Sequence, residues 1–257
     1  MISAMKRHYA SLVLHRAWLD LKAEAAQNIM GMLWWVLEPL LYLVAFYLIF
    51  DVFLERGGPG FVGFLLCGLV FWRWFDATVK RAGTAILANG QLINQIYLPK
   101  WVFPLIEVAG NSLRFAAVLV LFLVFAAFYT DGPALAWWAL LPLLLCELLL
   151  ILGVGLLLSV LIPIYPDLRK IIDNLMLLMF YMSGIFFDIS RLDSTVQQWL
   201  YLNPMAVLIQ QIRTVLLHAE APDWSALAWI GLAGLLMTAL GLALLNLYNR
   251  KLPHYVN

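Results

Sequence analysis

The sequence predicts an all-α integral membrane protein with six transmembrane helices, an amphipathic helix before the first of them and a re-entrant hairpin before the last. Composition is the first reason: 64% of the 257 residues are hydrophobic, 12% are charged, and the mean hydropathy is +0.90. A soluble domain of this length could not bury so much apolar surface. The spacing of the apolar segments and the distribution of the basic residues are the other two reasons.

Six apolar segments are long enough to cross a bilayer, whose hydrocarbon core of about 30 Å needs roughly 20 residues of helix. They cover residues 33–53, 59–79, 101–128, 134–162, 170–187 and 224–248. Arg73 and Asp76 interrupt the second segment, and the fifth is short and begins with Lys170 and Asp173. An even number of spans puts both termini on the same side of the membrane.

Lysines and arginines between the spans are distributed unequally, and this bias predicts the orientation. Three fall on one side, namely Arg56, Arg191 and Arg213, whereas eleven fall on the side of the termini. Those eleven are Lys6, Arg7, Arg16, Lys22, Lys80, Arg81, Lys100, Arg169, Lys170, Arg250 and Lys251. Both termini are therefore predicted to lie in the cytoplasm.

The N-terminal segment, residues 1–32, is expected to lie in the membrane interface. Within it, residues 5–27 place an apolar face opposite a charged face formed by Arg16, Asp20 and Glu24. The apolar face consists of Leu14, Trp18, Leu21 and Ala25. A solvated leader helix is the alternative. No short apolar stretch with a small-residue cleavage site follows the basic N-terminus, so no removal is expected.

Two further segments outside the spans show helical patterns. In residues 80–100, Asn89-Gly90 interrupts the pattern, which predicts two short helices on the cytoplasmic face rather than an ordinary loop. In residues 188–223, an apolar run too short to cross the membrane follows Asn203-Pro204, which predicts a re-entrant or interfacial hairpin on the outer side. Its apolar positions are Met205, Leu208, Ile209, Ile212, Val215 and Leu216.

Motifs for catalysis, nucleotide binding and metal binding are absent from the sequence. Cys67 and Cys146 lie in separate apolar runs and are predicted to be small buried hydrophobes. A net charge of +1 provides no basic excess for nucleic acid. The sequence therefore predicts no catalytic residue, no metal site and no cofactor on this chain. Active transport would need energy from a partner or from an ion gradient.

Ionisable residues inside the apolar spans are functional candidates because burying a charge in hydrocarbon is costly. They are Glu38, Asp51, Arg73, Asp76, Glu107, Arg114 and Glu147. Pairing within the helix bundle is the alternative to a role in translocation. Arg73 and Asp76 have the spacing for such a pair, as do Glu107 and Arg114. Glu147 has no partner at helical spacing.

Aromatic residues form a stripe on each of the first two spans. Trp35, Tyr42, Phe46 and Phe53 share one face of the first, and Phe64, Phe71 and Phe75 share one face of the second. Flat rings offer apolar faces to the C–H surfaces of sugars, so two stripes can line a path for a polymer. Helix packing and interfacial aromatic belts are the alternative.

Several short segments resemble the polysaccharide-exporting permeases of type-2 ABC transporters. Residues 31–40 (GMLWWVLEPL) resemble the entry motif of that family, and residues 92–100 (LINQIYLPK) resemble its cytoplasmic coupling segment. Residues 166–169 (PDLR), 184–188 (GIFFD) and 199–205 (WLYLNPM) are similar to its remaining landmarks. Each motif alone is weak, but five in order over nearly the whole chain are fairly specific.

The resemblance implies a single permease domain over residues 1–257 in the bacterial inner membrane, without ATPase activity of its own. It implies a homodimer with two copies of a separate ATPase subunit, which binds ATP and Mg, and a lipid-linked polysaccharide as substrate. Membrane lipids and periplasmic export proteins are further implied partners. Residues 80–100 would then be the coupling loop and residues 188–223 the periplasmic hairpin.

Three groups of site residues follow from the aromatic stripes, the helical patterns and the resemblance. Candidates for the substrate path are Trp34, Trp35, Glu38, Tyr42, Phe46, Phe53, Phe71, Trp72, Arg73 and Phe75. Candidates for coupling to the ATPase are Asn89, Gly90, Gln91, Leu92, Ile93, Asn94, Ile96 and Tyr97. Candidates for the outer gate are Phe186, Phe187, Trp199 and Tyr201.

More than one substrate class and more than one mechanism are consistent with the sequence. Glu38 in a Leu-Glu-Pro triplet favours capsule exporters, whereas Tyr97-Leu98-Pro99-Lys100 favours O-antigen or teichoic acid exporters. An ion-coupled secondary transporter would need coupling carboxylates and inverted repeats, and the two halves of the chain show no convincing similarity. A membrane enzyme acting on lipid-linked sugars would need convergent acids or bases near one interface, where Glu38, Asp76 and Glu107 lie.

Overall fold

The computed structural model describes residues 2–27, 33–53, 60–95, 98–130, 132, 134–249 and 252, and this part of the chain forms helices and no β-strand. The α-helices are α1 (Ile2–Gln27), α2 (Leu33–Tyr47), α3 (Phe61–Ala88), α4 (Gly90–Gln95), α5 (Val102–Tyr129), α6 (Leu140–Ile164), α7 (Leu168–Met182), α8 (Ser194–Leu200), α9 (Pro204–Leu217) and α10 (Trp224–Tyr248). A π-helix, Leu48–Phe53, extends α2, and 3-10 turns cover Leu135–Ala139 and Ile189–Arg191.

Four helices among the described residues are long and apolar enough to cross a membrane: α3, α5, α6 with its preceding turn, and α10. These four confirm helices at the second, third, fourth and sixth predicted spans. Helices α2 and α7 have 15 residues each. With its π-helical extension, α2 covers the whole first predicted span, 33–53. Helix α7 ends before residue 187, where the fifth predicted span ended.

Helix α3 lies at the centre of the bundle. In its most apolar window, 72% of the residues are buried inside the protein, compared with 17% for α5 and 22% for α10. Helices α5, α6, α2 and α9 pack around α3. The exposed apolar surfaces of α5 and α10 are the ones expected to face lipid, since lipid chains do not repel apolar side chains.

Helices α6 and α10 pack closely because glycines line the contact between them. A Cβ atom at Gly234 would lie 2.8 Å from the backbone of Leu149 and Leu150, and one at Gly153 would lie 2.6 Å from Cβ of Met237. Small residues let helix backbones approach in this way, which is the usual mode of packing inside membranes.

Helix α1 packs along α5 through small and aliphatic side chains. Val13, Ala17 and Leu21 recur at four-residue spacing and are buried. Leu14 and Trp18, predicted to share an apolar face with Leu21, are 59% and 60% exposed. One apolar side of α1 therefore contacts the bundle, and a neighbouring apolar side remains available to the membrane interface.

The two short helices expected in residues 80–100 take a different form. Residues 80–88 are the last turns of α3, and only α4 is a separate short helix. Helix α3 continues through Gly83, where the absence of a side chain lets it pack closely against Leu158 of α6. At Asn89 the predicted break occurs, where both the backbone N–H and the side-chain amide donate to the carbonyl of Ala85.

The predicted outer hairpin consists of two helices, α8 and α9. Helix α9 begins with Asn203, whose side chain accepts a hydrogen bond from the N–H of Met205, and with Pro204 in the first helical position. Helix α10 begins with Asp223, whose carboxylate accepts from the N–H groups of Ser225 and Ala226. All six predicted apolar positions of α9 are buried in the bundle.

Candidate functional site

Aromatic side chains from α2, α3 and the end of α7 form one contiguous cluster, which we call the aromatic wall. Its rings are Tyr42, Phe46, Trp72, Phe180, Tyr181 and Phe186. The ring of Phe46 lies 4.4 Å from that of Phe186 and 6.2 Å from that of Tyr42, and Phe180 lies 5.8 Å from Trp72. Three predicted path residues and one predicted gate residue therefore meet in one place.

The aromatic wall has a buried base and an exposed edge. Trp72 and Phe186 are buried, whereas Tyr42 and Tyr181 are 38% and 52% exposed. Sequence reasoning missed Phe180 and Tyr181, an aromatic pair that lies one residue before Ser183-Gly184, near the end of an apolar helix. The wall thus presents ring faces and edges outside the bundle, on the side formed by α2 and α7.

The other aromatic residues predicted for the path lie elsewhere. Phe71 is fully buried and packs against Phe115 and Phe122 of α5, at ring distances of 5.6 and 6.0 Å. Phe75 is buried beside Trp72. Phe53 is 75% exposed. Phe71 and Phe75 of the stripe predicted on α3 are therefore buried, and the residue of α3 in the aromatic wall is Trp72.

A cavity of about 290 Å³ opens between the start of α2, α3 and α5, and we call it the arginine cavity. Its lining includes Trp34, Trp35, Arg73, Arg81, Asn111 and Arg114. The guanidinium of Arg114 lies 5.9 Å from the ring of Trp35, and that of Arg73 lies 5.2 Å from the ring of Tyr42. Three predicted path residues, Trp34, Trp35 and Arg73, therefore share this cavity. The side chain of Glu38 lies outside the described residues.

The predicted coupling residues fall on α4 and the positions beside it. Ile93 is 5% exposed and packs with Ile86, Phe103 and Leu156 of the same chain. Gln91 and Gln95 are exposed. The remaining candidates divide as follows: Asn89 and Leu92 are partly buried, Gly90 is buried, and Ile96, Tyr97 and the side chain of Asn94 lie outside the described residues.

Asp76 and Asp173 share one cation, Lys80, in an ion-pair network. The carboxylate of Asp76 lies 2.7 Å from the Nζ of Lys80, which in turn lies 3.9 Å from the carboxylate of Asp173 on α7. The guanidinium of Arg73, the predicted partner of Asp76, lies 5.2 Å from the ring centre of Tyr42. The network connects α3 to the beginning of α7.

Arg213 of α9 joins three parts of the bundle. It is 2% exposed, and its guanidinium donates to the carbonyls of Phe64, Gly184 and Ile185 at 2.7–3.2 Å. Gly184 has a φ of +66°, a conformation that strongly favours glycine. This turn ends α7 early and directs two carbonyls toward Arg213. The sequence placed Arg213 only among the outer charges, although a lone cation within the apolar pattern of α9 was a signal.

The outer turn after α7 is organised by Asp188. Its carboxylate accepts from the N–H and the hydroxyl of Ser190 and lies 3.3 Å from the Nε of Arg191. Partial burial alone would raise the pKa of Asp188, but these hydrogen bonds and the nearby positive charges hold it below the usual value. Burial, with the charge of Asp188, raises the pKa of Tyr201.

The predicted gate residues are only partly brought together. Phe187 and Tyr201 pack against one small cluster around Ile189 and Leu200. Phe186 belongs to the aromatic wall, and Trp199 is 69% exposed.

Glu147 of α6 is fully buried, and neither of its carboxylate oxygens has a hydrogen-bond partner among the described residues. This agrees with the lack of a partner at helical spacing. Cys67 is buried, as the sequence predicted, whereas Cys146 is half-buried, and both are free thiols.

The fold matches a known family over most of its length. The profile of the ABC-2 type transporter family covers residues 11–217, which spans α2 to α9 and therefore both the aromatic wall and the arginine cavity. The chain belongs to the ABC-2 type transporter family.

Relatives within the ABC-2 family carry names from polysaccharide export. The chain is 26% identical to the O-antigen export system permease protein RfbA of Klebsiella pneumoniae, over 88% of each chain. It is 28% identical to RfbA of Myxococcus xanthus and 27% identical to the polysialic acid transport protein KpsM of Escherichia coli, in each case over 84% of both chains.

Proposed function

We propose that this chain is the permease subunit of an ATP-driven exporter of lipid-linked surface polysaccharide, O-antigen or capsule, in the bacterial inner membrane. Two copies form the transport path, and two copies of a separate ATPase subunit bind ATP with Mg and supply the energy. Membership of the ABC-2 family and the names of the relatives support this proposal. The chain itself performs transport and no chemical step.

The aromatic wall is the structural feature that best supports a path for polysaccharide. Tyr42 and Tyr181 hold exposed ring surface over a buried base of further rings. Rings in such a layer contact the apolar faces of sugars without fixing one orientation, so a repeating polymer can slide along them. A second copy of the chain, related by two-fold symmetry, places a second wall opposite the first.

The topology of the proposal has six spans. They are α2 with its π-helical extension, α3, α5, α6, α7 and α10, with both termini and α4 in the cytoplasm and α8 and α9 forming the re-entrant hairpin on the outer side. The excess of basic residues at the proposed cytoplasmic side supports this orientation.

Coupling to the ATPase is assigned to the face of α4 that carries the exposed side chains of Gln91 and Gln95. Because Ile93 anchors α4 to α3, α5 and α6, a force on α4 is transmitted to these helices as a rigid-body shift. The network of Asp76, Lys80 and Asp173 extends the same connection to α7.

The test measures surface glycan per assembled complex in cells that produce the chain with its ATPase. Tyr42→Ala and Tyr181→Ala should lower this ratio several-fold, while co-purification of the ATPase and basal ATP hydrolysis remain normal. Phe128→Ala is the matched control, because Phe128 is an aromatic residue of α5 that is 86% exposed and lies outside the aromatic wall. Unchanged glycan per complex in both tyrosine variants would contradict the proposed path.

A further inference from the structure

A groove of about 210 Å³ opens between α3, α6 and α7, and we call it the basic groove. Three cations line it, namely Lys80, Arg81 and Arg169. Asp173 is its one carboxylate among the described residues, and aliphatic side chains of α6 and α7 add apolar surface. The basic groove therefore carries an excess of positive charge.

Two of the three cations are not neutralised within the chain. Lys80 lies 2.7 Å from the carboxylate of Asp76 and 3.9 Å from that of Asp173. Arg81 and Arg169 are exposed, and neither has a carboxylate within 4.0 Å in the part of the chain that the structure describes. Two guanidinium groups of the basic groove are therefore available to an acidic group from outside the chain.

The basic groove lies at one end of the helix bundle. Its lining comes from residues 80–84 near the end of α3, from residues 158–162 near the end of α6, and from the first turns of α7. In the proposed topology these helix ends face the cytoplasm, where the ATPase subunit binds. Arg169 also belongs to the segment 166–169, for which the aromatic stripes and the coupling loop provide no role.

The charges of the groove favour a carboxylate as the incoming group. One guanidinium can bind a carboxylate through two parallel hydrogen bonds. Asp173 places a negative charge in the groove, and it would repel a doubly charged phosphate more strongly than a singly charged carboxylate. A protein segment that carries Asp or Glu therefore fits the groove better than a phosphate group does.

Helix α7 connects the basic groove with the aromatic wall. It begins at the groove with Arg169 and ends with Phe180 and Tyr181 of the wall, about 16 Å further along the helix axis. Met176 is the only one of its 15 residues that is buried in the chain. Because so little of α7 is buried against the bundle, it can shift as a rigid body. A force applied at Arg169 therefore reaches the aromatic wall along a single helix.

We propose that the basic groove is a second contact site for the ATPase subunit, in which an Asp or Glu of the ATPase binds Arg81 and Arg169. This contact moves α7 directly, whereas α4 acts on α3, α5 and α6 through Ile93. The partner rests on the proposed function, because only an ATP-driven transporter requires this subunit. The position and the charge of the groove do not rest on it.

The first test cross-links the purified complex of the chain and its ATPase with a carbodiimide, which joins an amine to a carboxylate in direct contact. Arg81→Lys and Arg169→Lys keep the positive charge and supply the amine. Mass spectrometry should find peptides that join position 81 or 169 to an Asp or Glu of the ATPase. Arg191→Lys is the control, because Arg191 is 85% exposed and lies on the outer side in the proposed topology. It should give no link.

The two ways of failing are distinguishable in this experiment. A complex that contains both subunits but gives no link from position 81 or 169 would overturn the second contact alone. A groove occupied by anionic lipid would give this result. Failure of the ATPase to co-purify with the wild-type chain would contradict the proposed function together with the second contact.

The second test measures surface glycan per ATP hydrolysed. Arg169→Glu should lower this ratio several-fold, because the reversed charge repels the acidic group, while the ATPase still co-purifies through α4. Lys170→Glu is the matched control, because Lys170 is the next residue, is exposed and does not line the groove. Its ratio should stay near that of the wild type. Equal ratios for the two variants would overturn the assignment of the contact to the groove.

Discussion

The guanidinium of Arg213 lies 3.4 Å from the centre of the Phe64 ring and donates two hydrogen bonds to the carbonyl of the same residue. It also donates to the carbonyls of Gly184 and Ile185. One buried side chain of α9 thereby joins the first turn of α3 to the end of α7. Because α7 carries part of the aromatic wall, a change at Arg213 is expected to affect the wall as well as stability.

Arg213→Lys should destabilise the protein by at least about 2 kcal/mol, because an ammonium group cannot reproduce the planar fork and leaves buried carbonyls without donors. The matched control is Arg191→Lys, whose side chain is 85% exposed and which should be close to neutral. Thermal unfolding in detergent, followed by tryptophan fluorescence, compares the two. A melting temperature for Arg213→Lys equal to that of the wild type would show that the carbonyl contacts contribute little.

The close contact between α6 and α10 predicts that its glycines cannot be replaced without a loss of stability. Gly234→Ala should destabilise the protein by about 1–3 kcal/mol, because the new Cβ would meet the backbone of Leu149 and Leu150 at 2.8 Å. Gly110→Ala on α5 is the control. Its Cβ would meet only Cβ of Ala17, at 3.9 Å, so the higher helix propensity of alanine should leave stability equal or up to about 1 kcal/mol higher. The opposite order of the two melting temperatures would refute this packing.

The helix bounds and the contacts of Arg213 show which parts of the fold can be predicted from the sequence. Apolar length is a property of the chain alone, so the helices at the third, fourth and sixth spans were predicted within two residues, whereas α3 continues nine residues past the predicted end of the second span. Asn89-Gly90 gave the break before α4. The early end of α7 depends on carbonyls that point to Arg213, which lies 29 residues away from Gly184 in sequence. Such long-range contacts leave no periodic pattern.

In the candidate site, too, periodic patterns were predictable from the sequence and long-range contacts were not. Periodicity found Tyr42 and Phe46 on one face of a helix. It could not show that Phe71 packs into the core while Trp72, its neighbour in sequence, belongs to the aromatic wall. Ile93 was predicted to contact the ATPase. Its side chain is buried within the chain, because an apolar side chain on a short helix contacts the nearest apolar surface available.

The pKa of Asp188 predicts a dependence of stability on pH. A carboxyl group whose pKa is lower in the folded state adds stability above its unfolded pKa, near 3.8, and this stability is lost as the pH falls through the folded value. The wild type should therefore melt at a higher temperature than Asp188→Asn at pH 6, and the difference should shrink as the pH falls below about 4.

Asp193→Asn is the control for Asp188, because the side chain of Asp193 makes no capping hydrogen bond at the start of α8. Its difference from the wild type should be small at every pH. A difference between the wild type and Asp188→Asn that stays constant from pH 6 to pH 3 would contradict the role assigned to the charge of Asp188.

The proposed topology predicts which exposed positions a membrane-impermeant maleimide can reach. Gln91→Cys and Ser194→Cys, each in a chain with Cys67 and Cys146 replaced by alanine, place single thiols on α4 and α8, at positions that are both exposed. In spheroplasts the thiol at 194 should react at once, and the thiol at 91 should react only after the membrane is permeabilised.

Thr78→Cys is the control for burial, because Thr78 is fully buried in α3 and should stay unlabelled in both conditions. The physical reason for the expected orientation is the excess of lysine and arginine around α4 and the termini, which resist transfer across the membrane. Labelling of the thiol at 91 from outside would reverse the proposed orientation.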